Sequence, residues 1–221
     1  MDLLIIEFIK NSQEYKNWGV NFLTIGMIVT SIFTLIQSFT LINQNKLILK
    51  ARSGESLSII LISHSYFSLL SVFFYGISKL SLALIFNGAC LGIFYLPILI
   101  NLLRFKKIST MDIIAIIIFK ILLTLMIITP QKDLVYLTFS LFWIISLIRQ
   151  AYEMIKSPTV GVFDPCLFGV ITISLVFWIF YSIIIHAWAL LLANTLGCIV
   201  LIIIMSIWFV KFYKKPVIQI Q

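Results

Sequence analysis

The sequence has little charge. Of its 221 residues only 11% are Asp, Glu, Lys or Arg, whereas 62% are hydrophobic. A soluble globular chain has about a quarter of its residues charged and roughly half apolar. Too few polar side chains remain here to cover a surface in contact with water. The composition therefore excludes a soluble domain and predicts an all-α integral membrane protein.

Sequence signals of catalysis and of metal binding are also missing. The three cysteines, Cys90, Cys166 and Cys198, form an odd set without CxxC or Cys/His spacing, which argues against a disulfide framework and a metal site. The chain has no phosphate-binding glycine loop, HExxH, GxSxG or paired-carboxylate motif. We therefore expect no enzyme activity, no cofactor and no metal ion.

Seven apolar segments are long enough to cross a bilayer, for which a helix needs about 20 residues. The links between the second and third segments and between the sixth and seventh are very short. Each of those pairs is therefore predicted to form a tight antiparallel hairpin. The seven spans are placed near 18–42, 57–77, 81–103, 111–129, 134–152, 163–186 and 188–210.

Basic residues are distributed unequally between the two sets of loops. One side carries eleven, and the other carries four, Lys10, Lys16, Lys79 and Lys132. Because cytoplasmic loops are enriched in Lys and Arg, the N-terminus is predicted outside and the C-terminus inside a plasma or bacterial inner membrane. The net charge of +8 is then a product of topology, and no nucleic-acid partner is expected. The eleven are Lys46, Lys50, Arg52, Arg104, Lys106, Lys107, Arg149, Lys156, Lys211, Lys214 and Lys215.

One basic residue, Lys120, lies in the middle of the fourth span. A charge within a span is a functional candidate by default, although a lysine side chain is long enough to extend toward the interface. We expect a structural or partner-facing role for it.

The chain contains an internal repeat. A shift of 106 residues aligns several polar and aromatic positions, and one further residue of offset aligns a pair of asparagines in the third and seventh spans. Matches of polar residues in consecutive spans are unlikely by chance in so apolar a chain. The pairs are Gln44 with Gln150, Lys50 with Lys156, Ser68 with Ser174, Tyr75 with Tyr181, and Asn87 with Asn194.

The repeat predicts a 3+1+3 arrangement of two parallel three-helix bundles joined by a linker helix. The proposed parts are an extracytoplasmic segment 1–17, a first repeat 18–103, a linker region 104–133, a second repeat 134–210 and a cytoplasmic tail 211–221. Transporters built from such repeats hold their substrate between the halves, near the middle of the bilayer. The symmetry therefore favours transport.

The segments "NQNKLILKARSGESLS" and "RQAYEMIKSPTVGV" resemble the signature of the PQ-loop superfamily, and of its SWEET sugar transporters in particular. "FFYGI" and "WIFYSI" are similar to the family's Trp-x-x-Tyr-Gly segment, and "FNGACLG" and "ANTLGC" to its asparagine segments. The resemblance implies seven helices, facilitated sugar transport, and gating or motif roles for a small set of residues. These are Gln44, Gln150, Tyr75, Tyr181 and the hinge-like Pro165.

The chain departs from that family pattern at three positions. Asn43 and Arg149 stand where the family has the proline of Pro-Gln, and Val72 stands where its first half has tryptophan.

Asn87 and Asn194 are the leading candidates for binding a solute. A buried amide is costly in lipid unless it is paired, so each is expected to face the interior of the bundle. Its donors and its acceptor suit neighbouring sugar hydroxyls. The alternative is hydrogen bonding between helices, for which polar residues are common in membranes.

Four further residues, in the second and sixth spans, are predicted to lie beside these asparagines. Trp178 can stack on the apolar face of a sugar, and Val72 occupies the matching position in the first half. Ser68 and Ser174 lie one helical turn from these two positions and either line the cavity or bond to their own helix.

The sequence thus predicts a uniporter of a small sugar, with the bilayer and the solute as its partners and with a homo-oligomer left open. Two alternatives remain. One is a PQ-loop carrier of another polar solute, such as an amino acid or a vitamin-like nucleoside. The other is a seven-helix receptor or scaffold. Because no acidic residue lies well inside a span, facilitated diffusion is favoured over proton coupling.

Overall fold

The structure, a computed structural model, describes residues 2–157 and 161–214, and side chains within 5–157 and 161–210. These residues form nine α-helices and no strand. The helices are α1 (Asp2–Asn11), α2 (Gln13–Lys16), α3 (Phe22–Ala51), α4 (Ile59–Ser78), α5 (Leu82–Phe105), α6 (Thr110–Ile128), α7 (Lys132–Lys156), α8 (Pro165–Ile184) and α9 (Trp188–Lys214).

Helices α3 to α9 are each long and apolar enough to cross a membrane. They correspond in order to the seven predicted spans, so the prediction of an all-α, multi-pass integral membrane protein is confirmed. Large apolar side chains such as Ile93, Ile117 and Phe180 are exposed around the bundle, as a lipid-facing surface requires.

The helix of the first span is longer than the predicted span. Its helix, α3, continues nine residues beyond position 42 to Ala51 and ends where Arg52 adopts a left-handed backbone with φ +46°. Gln and Lys are good helix formers, so the polar stretch with Gln44 and Lys50 extends the helix instead of opening a loop. Helix α7 likewise continues past the predicted position 152 to Lys156.

Both predicted hairpins are present and have the same backbone. Residues 79–81 join α4 to α5, and residues 185–187 join α8 to α9. The central residues, Leu80 and His186, have φ of 51° and 53° and lie 106 positions apart. In each hairpin the next residue donates its N–H back into the preceding helix, Ser81 to the Gly76 carbonyl at 3.0 Å and Ala187 to the Ser182 carbonyl at 2.9 Å.

The packing of the helices follows the same symmetry. In the first half α5 packs against α3 and α4, and in the second half α9 packs against α7 and α8. Between the halves α3 packs against α8, and α4 packs against α7. The linker helix α6 packs against α4 and α7. Gly88 brings α5 close to α4, because a Cβ there would lie 2.4 Å from the Phe73 backbone nitrogen.

The bundle has two faces with different connections. The N-terminal face is formed by residues 12–21, 79–81, 129–131 and 185–187, and the C-terminal face by residues 52–58, 106–109 and 161–164. The predicted segment 1–17 contains α1 and α2, which sequence reasoning did not foresee. Of the predicted tail 211–221, residues 215–221 lie outside the described part of the chain.

Candidate functional site

A cavity lies between the two halves, bordered by residues of α3, α4, α5, α7, α8 and α9. The centre of a water molecule can occupy about 140 Å³ of it, which is room for several waters. All six residues predicted to bind the solute line this one cavity: Ser68, Val72, Asn87, Ser174, Trp178 and Asn194. The fold thus brings together residues up to 126 positions apart in the sequence.

The two asparagines are buried at matched positions in α5 and α9, with 7% and 6% of their surface exposed. Asn87 Nδ2 donates to Thr34 Oγ1 of α3 at 2.8 Å. Asn194 Nδ2 approaches Ser182 Oγ at 3.5 Å, at the upper limit for a hydrogen bond. Both asparagines therefore border the cavity, and Asn87 in addition bonds to another helix.

The two halves differ at the aromatic position. Trp178 of α8 is 6% exposed, and its ring meets the Tyr181 ring edge-on with centroids 5.6 Å apart. Val72 of α4 occupies the corresponding position, 106 residues earlier, and is 7% exposed. At this pair of repeat positions the cavity thus has an indole in the second half and an aliphatic side chain in the first.

Ser174 is fully buried, and its hydroxyl makes no hydrogen bond to any residue that the structure describes. A buried hydroxyl without a partner is unfavourable, so it is available to a bound molecule. Ser68, its counterpart in the repeat, is partly exposed in the same cavity.

The lining also includes residues that sequence reasoning did not select as site residues. They are His64, Tyr95, Tyr136, Ser140, Trp143 and Gln37. The shift of 106 gives a signal for one of them, Ser140, which pairs with the hydroxyl residue Thr34, whereas Gln37 and Trp143 pair with each other and differ.

On the C-terminal face each half holds the other through a buried glutamine. Gln44 Nε2 donates to the Val162 carbonyl at 2.7 Å, and its Oε1 accepts from the Asp164 N–H at 3.0 Å. Gln150 Nε2 donates to the Ser56 carbonyl at 2.7 Å, and its Oε1 accepts from the Ser58 N–H at 2.8 Å.

Each of these partners lies 106 residues from its counterpart in the other half. Both glutamines are fully buried. We call this pair of two-bond contacts the glutamine clasp.

On the N-terminal face tyrosines make the contacts between the halves. Tyr75 donates to Asp133 Oδ1, at the start of α7, at 2.5 Å, and Lys79 pairs with the same carboxylate at 2.9 Å. In the other half Tyr181 donates to Glu14 of α2 at 2.5 Å. We call these the tyrosine contacts.

The Glu14 carboxylate is fully buried although it lies outside the spans. Besides Tyr181, it accepts from the Ser81 hydroxyl at 2.7 Å and from the N–H groups of Leu82 and Ala83 at 3.0 and 3.2 Å. A carboxylate is favourable at a helix N-terminus, and this one ties α2 to the start of α5 as well as to α8.

Two further sequence candidates, Pro165 and Lys120, also lie away from the cavity lining. Pro165 occupies the first turn of α8, behind the N-cap Asp164, where proline fits without a kink. The proline inside a helix is instead Pro97 of α5, which sequence reasoning did not select. Lys120 is exposed on the outer side of α6.

The lining of the cavity carries no Asp, Glu, Lys or Arg side chain from the described residues. Within that part of the chain, no group of three or more His, Cys, Asp or Glu side chains is placed to hold a metal ion. The polar groups of the cavity lining include amides, hydroxyls and one imidazole, which can exchange hydrogen bonds with a neutral molecule.

Comparison with solved structures identifies a protein of similar fold. The structure is similar to that of a eukaryotic SWEET transporter, with a TM-score of 0.55 over 87% of this chain and 97% of that one. The two sequences are 16% identical, so the similarity concerns the fold. No known family profile matches the sequence. No curated protein matches it either. The chain is thus an integral membrane protein of seven membrane helices with the fold of a SWEET transporter.

Proposed function

We propose that this protein is a membrane carrier that moves a neutral sugar by facilitated diffusion, with its two three-helix halves rocking about the central cavity. The observation that carries the proposal is that cavity, where two matched buried amides, an indole ring and an unpartnered hydroxyl meet between the halves. Carriers with this kind of repeat bind their substrates at such an interface.

The chemistry of the lining favours a sugar. The amides of Asn87 and Asn194 supply donors and acceptors, and the Trp178 ring supplies a flat apolar surface. A sugar ring has both surfaces, with hydroxyls at its edge and C–H groups on its faces. A site that matches both discriminates against molecules that lack one of them.

The absence of formal charge from the described lining argues against an amino acid, whose ammonium and carboxylate groups require paired charges when they leave water. A neutral nucleoside is the second candidate, because its base also stacks on an aromatic ring. A sugar and a nucleoside differ in the number and placement of the hydroxyls that they present to the site. Measuring the uptake of each directly distinguishes between them.

The contacts between the halves supply a gate at each face. The glutamine clasp holds the C-terminal face closed, and the tyrosine contacts hold the N-terminal face closed. Alternating access requires that one set opens while the other persists. Both sets consist of a few polar contacts, each with a net contribution of roughly 1–3 kcal/mol, so solute binding can shift the balance.

We further propose that transport is not coupled to protons. Intramembrane carboxylates are the usual relays of proton-driven carriers, and the buried Glu14 lies in a loop segment on the N-terminal face. The asymmetry of basic loops supports an orientation with the C-terminal face in the cytoplasm of a cell membrane. Together with the sequence motifs, these features support membership of the SWEET branch of the PQ-loop proteins.

Uptake into proteoliposomes tests the proposal. We expect labelled D-glucose or sucrose to enter faster than into protein-free vesicles, with an initial rate that an imposed proton gradient does not change. Uridine and alanine serve as the neutral and charged comparisons. Uptake of uridine without either sugar would establish the nucleoside alternative, and uptake of none of the four would contradict a carrier function.

A further inference from the structure

His64 of α4 is a buried polar residue that takes no part in the sugar contacts proposed for Asn87, Asn194 and Trp178. It is 1% exposed, and its Nε2 lies 2.9 Å from the Phe139 carbonyl oxygen of α7, in the other half. A carbonyl only accepts, so Nε2 carries the hydrogen and, in the neutral ring, Nδ1 presents a bare lone pair. Nδ1 is buried and has no hydrogen-bond partner among the residues that the structure describes.

The rings of Phe119 and Phe139 fix the orientation of this imidazole. Both meet it edge-on, with centroids 5.0 and 5.9 Å away. Together with the Nε2 bond they hold the ring on the wall of the cavity, so the unpaired acceptor belongs to a rigid surface. Its counterpart in the repeat is Val170, which makes the acceptor unique to the first half.

The position of His64 separates it from the asparagines. It lies five residues after the start of α4 on the C-terminal face, whereas Asn87 lies five residues after the start of α5 on the N-terminal face. Helix α4 has 20 residues and rises about 1.5 Å per residue, so His64 and Asn87 are roughly 15 Å apart along the bundle axis. One pyranose ring does not span that distance.

Another aromatic residue lines the part of the cavity that is nearer the C-terminal face. Trp143 of α7 lines the same cavity one helical turn beyond Phe139. Its ring lies against Gly197 of α9, where a Cβ would fall 1.9 Å from the indole, so the glycine makes room for it. Tyr95 of α5 also lines this part. An acceptor and aromatic surfaces thus occur a second time along the axis.

We infer that His64 and Trp143 form a second sugar subsite, in which Nδ1 accepts a hydrogen bond from a hydroxyl of the second ring of a disaccharide. The first ring occupies the subsite of Asn87, Asn194 and Trp178. This inference rests on the proposed function, and it specifies the solute as a two-ring neutral sugar lying along the bundle axis.

Two substitutions separate the roles of the two imidazole nitrogens. Glutamine in H64Q places its amide nitrogen near Nε2 and keeps a donor for the Phe139 carbonyl, but it removes the acceptor at Nδ1. Asparagine in H64N places its amide near Nδ1 and keeps a polar group there, but it gives up the bond to Phe139. H64N is therefore the matched control that weakens the structure and spares the subsite.

The experiment measures equilibrium binding of maltose and of D-glucose to the purified full chain and both variants. Maltose consists of two glucose units, so glucose reports on the first subsite alone. We expect wild type to bind maltose more tightly than glucose. H64Q should weaken maltose about 3- to 10-fold and leave glucose within twofold, whereas H64N should bind maltose within about threefold of wild type but unfold at a lower temperature.

Other outcomes overturn the inference in distinguishable ways. Equal weakening of both sugars by H64Q, or of neither, shows that Nδ1 contacts no second ring. Binding of glucose without a preference for maltose removes the second subsite and leaves the proposed function intact. Binding of neither sugar to wild type contradicts both.

Discussion

At the residue scale, the two asparagines show how one residue type serves two purposes. Asn87 donates to Thr34 and so joins two helices of its own half, yet it also borders the cavity. Asn194 has only the 3.5 Å contact with Ser182. Of the two amides, Asn194 therefore has more of its hydrogen-bonding capacity available to a solute.

We predict that Asn194→Ala lowers the apparent affinity for the transported sugar about tenfold, because two hydrogen bonds of roughly 0.5–1 kcal/mol each are lost. Thermal unfolding in detergent should change little, since the Ser182 contact is long. Uptake rates across a range of sugar concentrations provide the measurement. An unchanged affinity would assign Asn194 a structural role.

For Asn87 the matched control is Thr34→Val, which removes the same bond between helices and leaves the amide in place. We expect Thr34→Val to keep uptake within twofold of wild type, whereas Asn87→Ala reduces it about tenfold. Interhelical hydrogen bonds in membranes average only about 0.6 kcal/mol, so loss of the bond alone is a small effect. Equal losses in the two variants would mean that Asn87 serves only to join helices.

Val72 is the clearest difference between the halves, since Trp178 is its counterpart. We predict that Val72→Trp reduces uptake of monosaccharides and disaccharides alike, because an indole fills space at the level of Asn87 and Trp178, where the first sugar ring binds. Comparison of initial rates for sucrose and D-glucose measures this. Unchanged rates for both sugars would show that the space beside Val72 does not accommodate the solute.

At the element scale, the glutamine clasp joins the end of one half's first helix to the start of the other half's second helix. Both glutamines were singled out from the sequence as motif residues, but the sequence did not indicate what they bind. Their partners are backbone atoms of residues 56–58 and 162–164, and backbone atoms leave no signature in side-chain patterns.

Because each glutamine of the clasp bonds to a loop of the other half, we expect its substitution to affect amide hydrogen exchange in that loop. Gln44→Leu should speed amide hydrogen exchange in residues 161–164, and Gln150→Leu in residues 55–58. Loss of two hydrogen bonds, roughly 1–2 kcal/mol in total, corresponds to about 5- to 30-fold faster exchange. Peptide-level exchange by mass spectrometry is the measurement. If each variant affected only the loop of its own half, the contact between the halves would be contradicted.

The N-terminal face depends on Glu14. Nothing in the sequence points to this residue, because it lies in a polar segment before the first span. Its role follows from tertiary packing that brings residues 81–83 and Tyr181 to it. An acidic residue in a loop is usually solvated, and only the fold shows that this one is buried.

We predict that Glu14→Gln lowers the free energy of unfolding by about 1.5–3 kcal/mol, since an amide brings one acceptor oxygen and two donors to a place built from donors. Tyr181→Phe removes a single donor and should cost about 1 kcal/mol. Thermal or denaturant unfolding in detergent ranks the two. A Glu14→Gln effect no larger than that of Tyr181→Phe would show that the backbone bonds to the carboxylate contribute little.

At the scale of the whole molecule, hydropathy was sufficient for the number and order of the membrane helices, because a span must be apolar over its whole length. The hairpins followed from the three-residue links. The end of α3 did not follow, since a helix that leaves the bilayer continues through Gln and Lys as readily as through Leu. The helices α1 and α2 carry no span-like signal.

The internal repeat explains why only some residues of the candidate site can be predicted from the sequence. Residues that both halves keep at an offset of 106 or 107 are visible in the sequence, and Ser68, Asn87 and their counterparts, which are among them, line the cavity. His64 and Trp143 differ between the halves, and a repeat gives no information where the halves differ. We expect those asymmetric positions to influence which solute the proposed site prefers.

The central claim is that two halves expose one cavity to the two membrane faces in turn. Counterflow in proteoliposomes tests it most directly, with unlabelled sugar loaded inside and a trace of labelled sugar added outside, in the absence of any ion gradient. We expect the labelled sugar inside to rise transiently above its equilibrium level, because unlabelled sugar occupies the carrier on nearly every outward step. A smooth approach to equilibrium without overshoot would indicate a channel, and no entry at all would contradict transport.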